Sequence, residues 1–197
     1  MSDLKGLWIG LNYLIIFFKE IFKNMFTFYL IKKKIINFFL NIYYYFYLFI
    51  ILKNHILMKI NTIIDIVATH YPDNSYGTFE LLYVIVCYKL NQRFFFKLTI
   101  KKENLLVSLN NLFNSTSWLE REIWDMFGLK FIYHKDLRRI LTDYGFLGHP
   151  LLKQFPLIGF IELRYDDSIY NIIKEEVEMT QMYRFFRFIN PWTLWKD

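Results

Sequence analysis

The stretch DLRRILTDYGFLGHPLLKQFP, residues 136–156, gathers the residue types that could do chemistry. It holds Asp136, Arg138, Arg139, Asp143, Tyr144 and His149, set among two glycines and two prolines. A carboxylate and an imidazole such as Asp143 and His149 could form an acid–base pair for proton transfer. The stretch offers no nucleophile beyond Thr142, no oxyanion-type glycine motif and no phosphate loop. His134 and His149 have no Cys or His at ligand spacing, which leaves a metal site unsupported. No residue is therefore assigned a catalytic, cofactor-binding or metal-binding role. Fixed charges on a Gly- and Pro-rich backbone suit another task, setting the register of a docked segment.

Upstream, NSTSWLEREIWDMFG (residues 114–128) predicts a helix. Ser117 with Glu120 fits a capping box, and Gly128 fits a C-cap. Leu119, Ile123, Met126 and Phe127 form one apolar face. Glu120, Arg121, Glu122 and Asp125 fall mostly off that face, and Arg121 can pair with Asp125 at i,i+4. They read either as a solvated face or as a charged docking face. After Gly128 helical periodicity fades. Phe146, Phe155, Phe160, Tyr165, Phe185, Phe186, Trp192 and Trp195 then need a surface that buries them, the chain's own domain or, for so long a tail, a partner protein. At least one of Arg138 and Arg139 is expected to meet a carboxylate across that interface.

The middle of the chain supplies the scaffold. KINTIIDIVATHYP, TFELLYVIVCYKL and RFFFKLTIKK are strand-like, the last two joined at Asn91-Gln92. Phe94, Phe96, Leu98 and Ile100 alternate with Phe95, Lys97, Thr99 and Lys101, as in a half-buried strand. The expected fold class is α+β, a small sheet of three to four strands with helices on one side, followed by a long extended C-terminal docking tail. The boundaries drawn are 1–45 for an N-terminal extension, 46–128 for the α+β domain and 129–197 for the docking segment.

The chain has 197 residues, 21% of them aromatic, a single alanine and seven glycines. Phe, Tyr, Ile, Asn and Lys are the residues of AT-rich codons, so the bias reads as drift in an AT-rich genome such as an organelle's. Cys87, the lone cysteine, can form no internal disulfide and cannot hold an iron–sulfur cluster by itself; it reads as a buried small hydrophobe. The net charge of +6 sits in the N-terminal third, where eight lysines precede residue 60. That third has neither the arginines nor the serines of a transit peptide, and no secretory cleavage site follows an apolar run. Residues 35–52 carry no charge and admit two readings: a membrane span, or a core helix near 43–53 preceded by a basic amphipathic extension. The N-terminal extension, residues 1–45, is expected to form helices on neighbouring subunits or at a membrane surface.

From Trp118 to Asp166 and again over VEMTQMYRFFRFINPW (Val177–Trp192), the sequence resembles the NuoC-type, 30 kDa subunit family of respiratory complex I, whose mitochondrial members are called subunit 9. The likeness runs more weakly back to about Leu52. Asp143–Pro150 and Met179–Gln181 are similar to the mitochondrial and proteobacterial branch. Lys135 and Glu176 stand where the family usually has Pro, Leu147 where it has an acid, Leu152 where it has Arg and Gln154 where it has Asp. The resemblance implies a non-catalytic core subunit of the quinone-reducing module of NADH:ubiquinone oxidoreductase, needed for assembly and for shaping the large quinone-site subunit. It implies that the chain binds no cofactor, while the complex uses FMN, iron–sulfur clusters and ubiquinone to carry electrons from NADH, coupled to proton translocation. The implied partners are the large (49 kDa-type) quinone-site subunit and neighbouring iron–sulfur subunits, with no nucleic acid. The implied place is the matrix side of the mitochondrial inner membrane. Docking positions are Glu120, Arg121, Glu122, Asp125, Asp136, Arg138, Arg139, Asp143, Tyr144, His149, Pro150, Phe155, Glu162, Arg164, Thr180 and Gln181. A different class of function stays open, a membrane-anchored interaction protein using residues 13–52.

Overall fold

The computed structural model describes residues 26–32, 35–56, 58–74, 78–89, 91–179, 181–182 and 184–186. In chain order the elements are β1 (Phe26–Lys32), β2 (Ile35–Leu40), α1 (Tyr45–Asn54), β3 (Ile63–His70), β4 (Phe79–Cys87) and β5 (Gln92–Ile100). Then come β6 (Leu106–Val107), α2 (Thr116–Phe127), β7 (Phe131–Ile132), β8 (Ile161–Asp166) and β9 (Asn171–Glu176). The chain divides into two compact units, Met1–Phe155 and Pro156–Asp197.

The first unit is built on a five-stranded sheet of order β1-β2-β5-β4-β3. β3, β4 and β5 form an antiparallel meander, β2 joins β5 in parallel, and β1 closes the far edge against β2. The expected α+β architecture is present. The sheet exceeds the expected three to four strands because β1 and β2 come from the basic stretch read as extension. Residues 26–40 thus hold two strands where helices were expected; the earlier part of that expectation, residues 1–25, lies outside the described residues.

Alternation decides which face is buried. Phe94, Phe96, Leu98 and Ile100 are at most 1% exposed. They share a face with Phe79, Leu81, Tyr83, Ile85 and Cys87 of β4 and with Phe38 and Leu40 of β2. The β4–β5 connection does not turn at Asn91-Gln92, since Gln92 already pairs with Cys87. Asn91 closes it at φ +47°, a conformation asparagine tolerates better than most residues.

Helix α1 lays Tyr45, Leu48, Phe49 and Leu52 on this face, the spacing of a one-sided amphipathic helix. Phe49 meets Tyr83 at 5.2 Å, Phe96 at 5.9 Å and Phe113 at 6.3 Å between ring centroids. Truncating it to Ala would cost about 3–5 kcal/mol. Of the two readings of residues 35–52 the core helix is the one realised: the first six residues are a sheet strand, and among the described residues no helix is long and apolar enough to cross a membrane. Helix α2 packs on the same side near β3, with Phe127 edge-on to Phe79 at 6.4 Å. Cys87 is buried, its thiol 3.0 Å from the Met58 carbonyl.

The compact units fall elsewhere than the sequence boundaries. β2 lies inside the sheet, so the domain reaches back past residue 45. Residues 129–155 group with the α+β unit, and Leu137 and Leu152 pack against its core. The second unit contains a β8–β9 hairpin, where the sequence reading saw only extended and turning chain.

Candidate functional site

Helix α2 carries two buried carboxylates five residues apart, Glu120 and Asp125, each 0% exposed. The chain folds its loops around them. α2 begins at Thr116 with Ser115 as N-cap, and Ser115 donates to the Ile63 carbonyl (2.9 Å) instead of capping the helix. The expected Ser117–Glu120 capping box does not form, because Glu120 turns inward to stronger donors. Ser108 Oγ donates to it at 2.5 Å and the Leu109 amide at 2.8 Å. Burial pushes the Glu120 carboxyl up to about 7, and these two hydrogen bonds offset only part of that rise. His134 Nε2 stands 3.9 Å from the same carboxyl and 3.2 Å from the Ser117 carbonyl. The Asp136 amide donates to His134 Nδ1 (3.1 Å), so in the neutral ring the proton sits on Nε2.

Asp125 organises a larger cluster. Its carboxylate accepts hydrogen bonds from Arg139 Nε (2.6 Å), Thr142 Oγ1 (2.7 Å) and the amides of Ile140, Leu141 and Thr142 (3.2, 2.7 and 2.9 Å). Burial alone would raise its pKa. The hydrogen bonds from Thr142, Arg139 and Leu141 outweigh burial and hold the carboxyl well below the ordinary carboxylate range. Arg139 also reaches the carbonyls of Phe146 (2.7 Å), Gly148 (2.5 Å) and Asp125 itself (3.2 Å). Four acceptors fix one guanidinium, a use of the planar fork that lysine could not copy.

The helix end completes the arrangement. Gly128 takes φ +75° and returns its amide to the Trp124 carbonyl at 2.9 Å. His149 Nδ1 lies 2.9 Å from the Asp125 carbonyl, the Leu151 amide donates to the Met126 carbonyl at 3.1 Å, and the His149 ring stands edge-on to Trp124 at 5.3 Å. A Cβ on Gly128 would come within 2.6 Å of the His149 ring, so glycine is required on two counts. Carbonyls that a helix leaves unpaired at its C-terminus are here taken up by residues 139–151.

Arg138 pairs in the open with Asp136 (2.8 Å), and Arg121 donates to the Arg138 carbonyl (2.9 Å) while lying over the Trp118 ring. The arginine expected to meet a partner's carboxylate thus finds one at home: both arginines pair within the chain. The i,i+4 pairing of Arg121 with Asp125 gives way to the Arg139 bond. Asp143 and His149 do not meet as an acid–base pair; the Asp143 carboxylate accepts from the Tyr144 amide (2.8 Å), and His149 bonds Asp125. Glu122 and Tyr144 are exposed, Pro150 and Phe155 half-buried, and Phe155 lies 5.8 Å from Phe146. In the second unit Arg164 holds Glu175 (2.7 Å), while Glu162 and Gln181 are exposed. Thr180 lies outside the described residues.

Sequence reasoning missed Ser108, Leu109 and His134, which surround Glu120 from 11 to 14 positions away in the chain. It also placed Glu120 and Asp125 off the buried face, although both are interior. No spacing rule could have paired Asp125 with amides 15 to 17 residues downstream.

Comparison with known proteins supplies the rest. A chain of the membrane-bound sulfane sulfur reductase, an archaeal respiratory membrane complex, shares the fold with a TM-score of 0.64 at 17% identity, covering 88% of this chain and 98% of that one. The "NADH dehydrogenase [ubiquinone] iron-sulfur protein 3" of Oryza sativa subsp. japonica is 44% identical over 156 residues, 79% of this chain and 82% of its own length. The "NADH-ubiquinone oxidoreductase subunit 9" of Reclinomonas americana is 43% identical over 142 residues, 72% of this chain and 69% of its own. Residues 45–160, which span the sheet's meander, α2 and the Asp125 cluster, match the family described as "Respiratory-chain NADH dehydrogenase, 30 Kd subunit", and the chain belongs to that family.

Proposed function

We propose that the chain is a core, non-catalytic subunit of mitochondrial NADH:ubiquinone oxidoreductase, placed in the quinone-reducing module of its peripheral arm. Its task is to assemble with the large quinone-site subunit and hold its shape while electrons pass from NADH to ubiquinone. One observation carries this reading. Among its described residues the second unit holds a two-stranded hairpin whose Ile161, Leu163, Tyr165 and Ile172 are 49–62% exposed on one face. A lone two-stranded hairpin is marginal in water, and an apolar stripe on it calls for a partner surface.

The chemistry-bearing groups support the same conclusion. Asp125, Arg139, Glu120 and His149 are committed to bonds inside the first unit, which suits a scaffold better than a reaction centre. FMN, iron–sulfur clusters and ubiquinone are then held by other subunits. In support, the sequence has one cysteine, which cannot hold an iron–sulfur cluster by itself. The docking residues are narrowed to the exposed ones: Glu122, Arg138, Asp143, Tyr144, Glu162, Arg164 and Gln181 with the apolar face of β8–β9. The matrix face of the inner membrane follows from that assignment, and the AT-rich residue usage supports encoding in the organelle.

The test is a native gel of inner-membrane complexes probed for this chain, with NADH:ubiquinone activity divided by complex content. The expected result is co-migration with complex I, and for the Leu163→Ser/Tyr165→Ser variant less complex at unchanged activity per complex. Full assembly with abolished quinone reduction would reassign the chain to the chemistry.

A further inference from the structure

Strand β3 is an edge strand, and its sequence does little to protect that edge. Among the described residues it pairs only with β4. The pairing parity identifies which main-chain groups are left over. The Tyr71 amide bonds the Thr78 carbonyl (2.8 Å), so in this antiparallel ladder the odd-numbered positions above the bulge turn toward β4. Ile66, Ala68 and His70 therefore turn their amides and carbonyls away from the sheet. The Ile66 amide is already taken by the Asp65 carboxylate at 2.8 Å. Ala68 and His70 remain, two residues apart, as a short open ladder.

Natural edges are usually blunted by Lys, Pro or a covering loop. Beyond a bulge and Asp65 at its start, β3 has neither lysine nor proline, and it leaves Ile64 48%, Val67 40% and the following Tyr71 50% exposed. A groove runs along this edge. Its apolar wall is Ala68, Phe127 and Leu151, which line both of the cavities that meet there, and Met126 extends it. One end carries the acids Asp65 and Glu122; the other carries Lys153, whose amide donates to His70 Nδ1 at 3.1 Å, together with Asp73 and with Glu80, which is already paired with Lys97.

We propose that the β3 edge receives an extended segment of a neighbouring subunit, added as a strand against Ala68 and His70. This rests on the reading of the chain as a subunit of a hetero-oligomeric complex. The segment places an apolar side chain against Phe127 and Leu151 and a basic residue at the Asp65–Glu122 end. Main-chain bonds supply the attachment, while the pocket and the acids supply selectivity, the division of labour of strand addition. A second copy of this chain, paired antiparallel, would bring its own Lys153 to that acidic end, so it is the hetero-oligomeric assignment that favours a different subunit.

Site-resolved hydrogen exchange on the intact complex, and on the full chain released from it, tests the proposal. The Ala68 and His70 amides should exchange about tenfold or more slowly in the complex than in the released chain, as expected for new ladder bonds. The Val84 amide, inside the existing sheet, should be slow in both. Equal rates at Ala68 and His70 in a chain that co-migrates with complex I overturn the strand addition and leave the subunit assignment standing. A chain that never co-migrates overturns both. Protection that grows with the concentration of the released chain alone means pairing of two copies and overturns the choice of partner.

Discussion

Residues 136–155 and residues 160–176 look alike in composition, both apolar and charged, yet they solve opposite problems. The first stretch has a carboxylate to fold around. Asp125 collects five donors from it, Arg139 ties four acceptors together, and its leucines 137 and 152 reach the core. The second stretch is held, among the described residues, by its own hairpin. Its strands pair, Arg164 bridges Glu175 in the open, and Ile161, Leu163 and Tyr165 stay about half exposed. Ionic groups act as internal fasteners where a buried counter-charge waits for them and as surface decoration where none does.

Four variants sharpen this contrast. Asp125→Ala should have the largest effect on the chain, about 3–5 kcal/mol, because it leaves Arg139 and three amides without their acceptor. Urea unfolding of the full chain measures it, and a loss under about 1 kcal/mol would erase the distinction between the stretches. The wild-type cluster should also be acid-labile. Asp125 titrates below its unfolded value, so its contribution is full above the ordinary carboxylate range near pH 4 and is lost as pH falls through the lower, folded value.

Glu120→Gln acts with the other sign. Its carboxyl is raised from 4.5 to about 7, so the stability it lends is full below pH 4.5 and lost as pH rises toward and through 7. At pH 8 the ionised form costs about 3 kcal/mol relative to the protonated one. The variant should therefore unfold later than wild type at pH 8, and the difference should shrink by pH 5. A pH-independent difference would mean that Glu120 is ionised throughout.

Gly128→Ala should cost about 1–3 kcal/mol, since alanine must hold φ +75° and its Cβ must push the His149 ring aside. Thermal melts of the full chain measure the loss, and the Trp124 fluorescence environment should change with it. A variant as stable as wild type would show that the turn after α2 can be rebuilt. Leu163→Ser with Tyr165→Ser should change the chain's own unfolding least, by about 0.5 kcal/mol or less. Complex content on a native gel should nonetheless fall, which is the signature of an interface.

Much of the scaffold was legible because local rules apply to it. The period-two pattern of residues 94–100 and the 45, 48, 49, 52 stripe of α1 each follow from one side having to be dry. Gly128 was readable as a C-cap for the same reason. The site was not, because its logic is long-range. Nothing near Glu120 announces Ser108 and His134, and nothing near Asp125 announces the amides of residues 140–142. The β8–β9 hairpin had a local signal, the alternation of Ile161, Leu163 and Tyr165 with Glu162 and Arg164, hidden by the glycines and prolines before it. β1 and β2 were obscured by an apolar bias that makes strand, core helix and membrane span look alike.

Residues 136–155 group with the folded domain, and we propose that residues 160–176 are an interface for a partner subunit. Limited proteolysis after Lys and Arg tests this contrast most directly, on the full chain alone and within the assembled complex, with cut sites read by mass spectrometry. The chain alone should be cut first after Arg164 and Lys174, while the bonds after Arg138 and Arg139 survive; in the complex all four should survive. Cleavage of the free chain after Arg138 and Arg139 as fast as after Arg164 and Lys174 would contradict it.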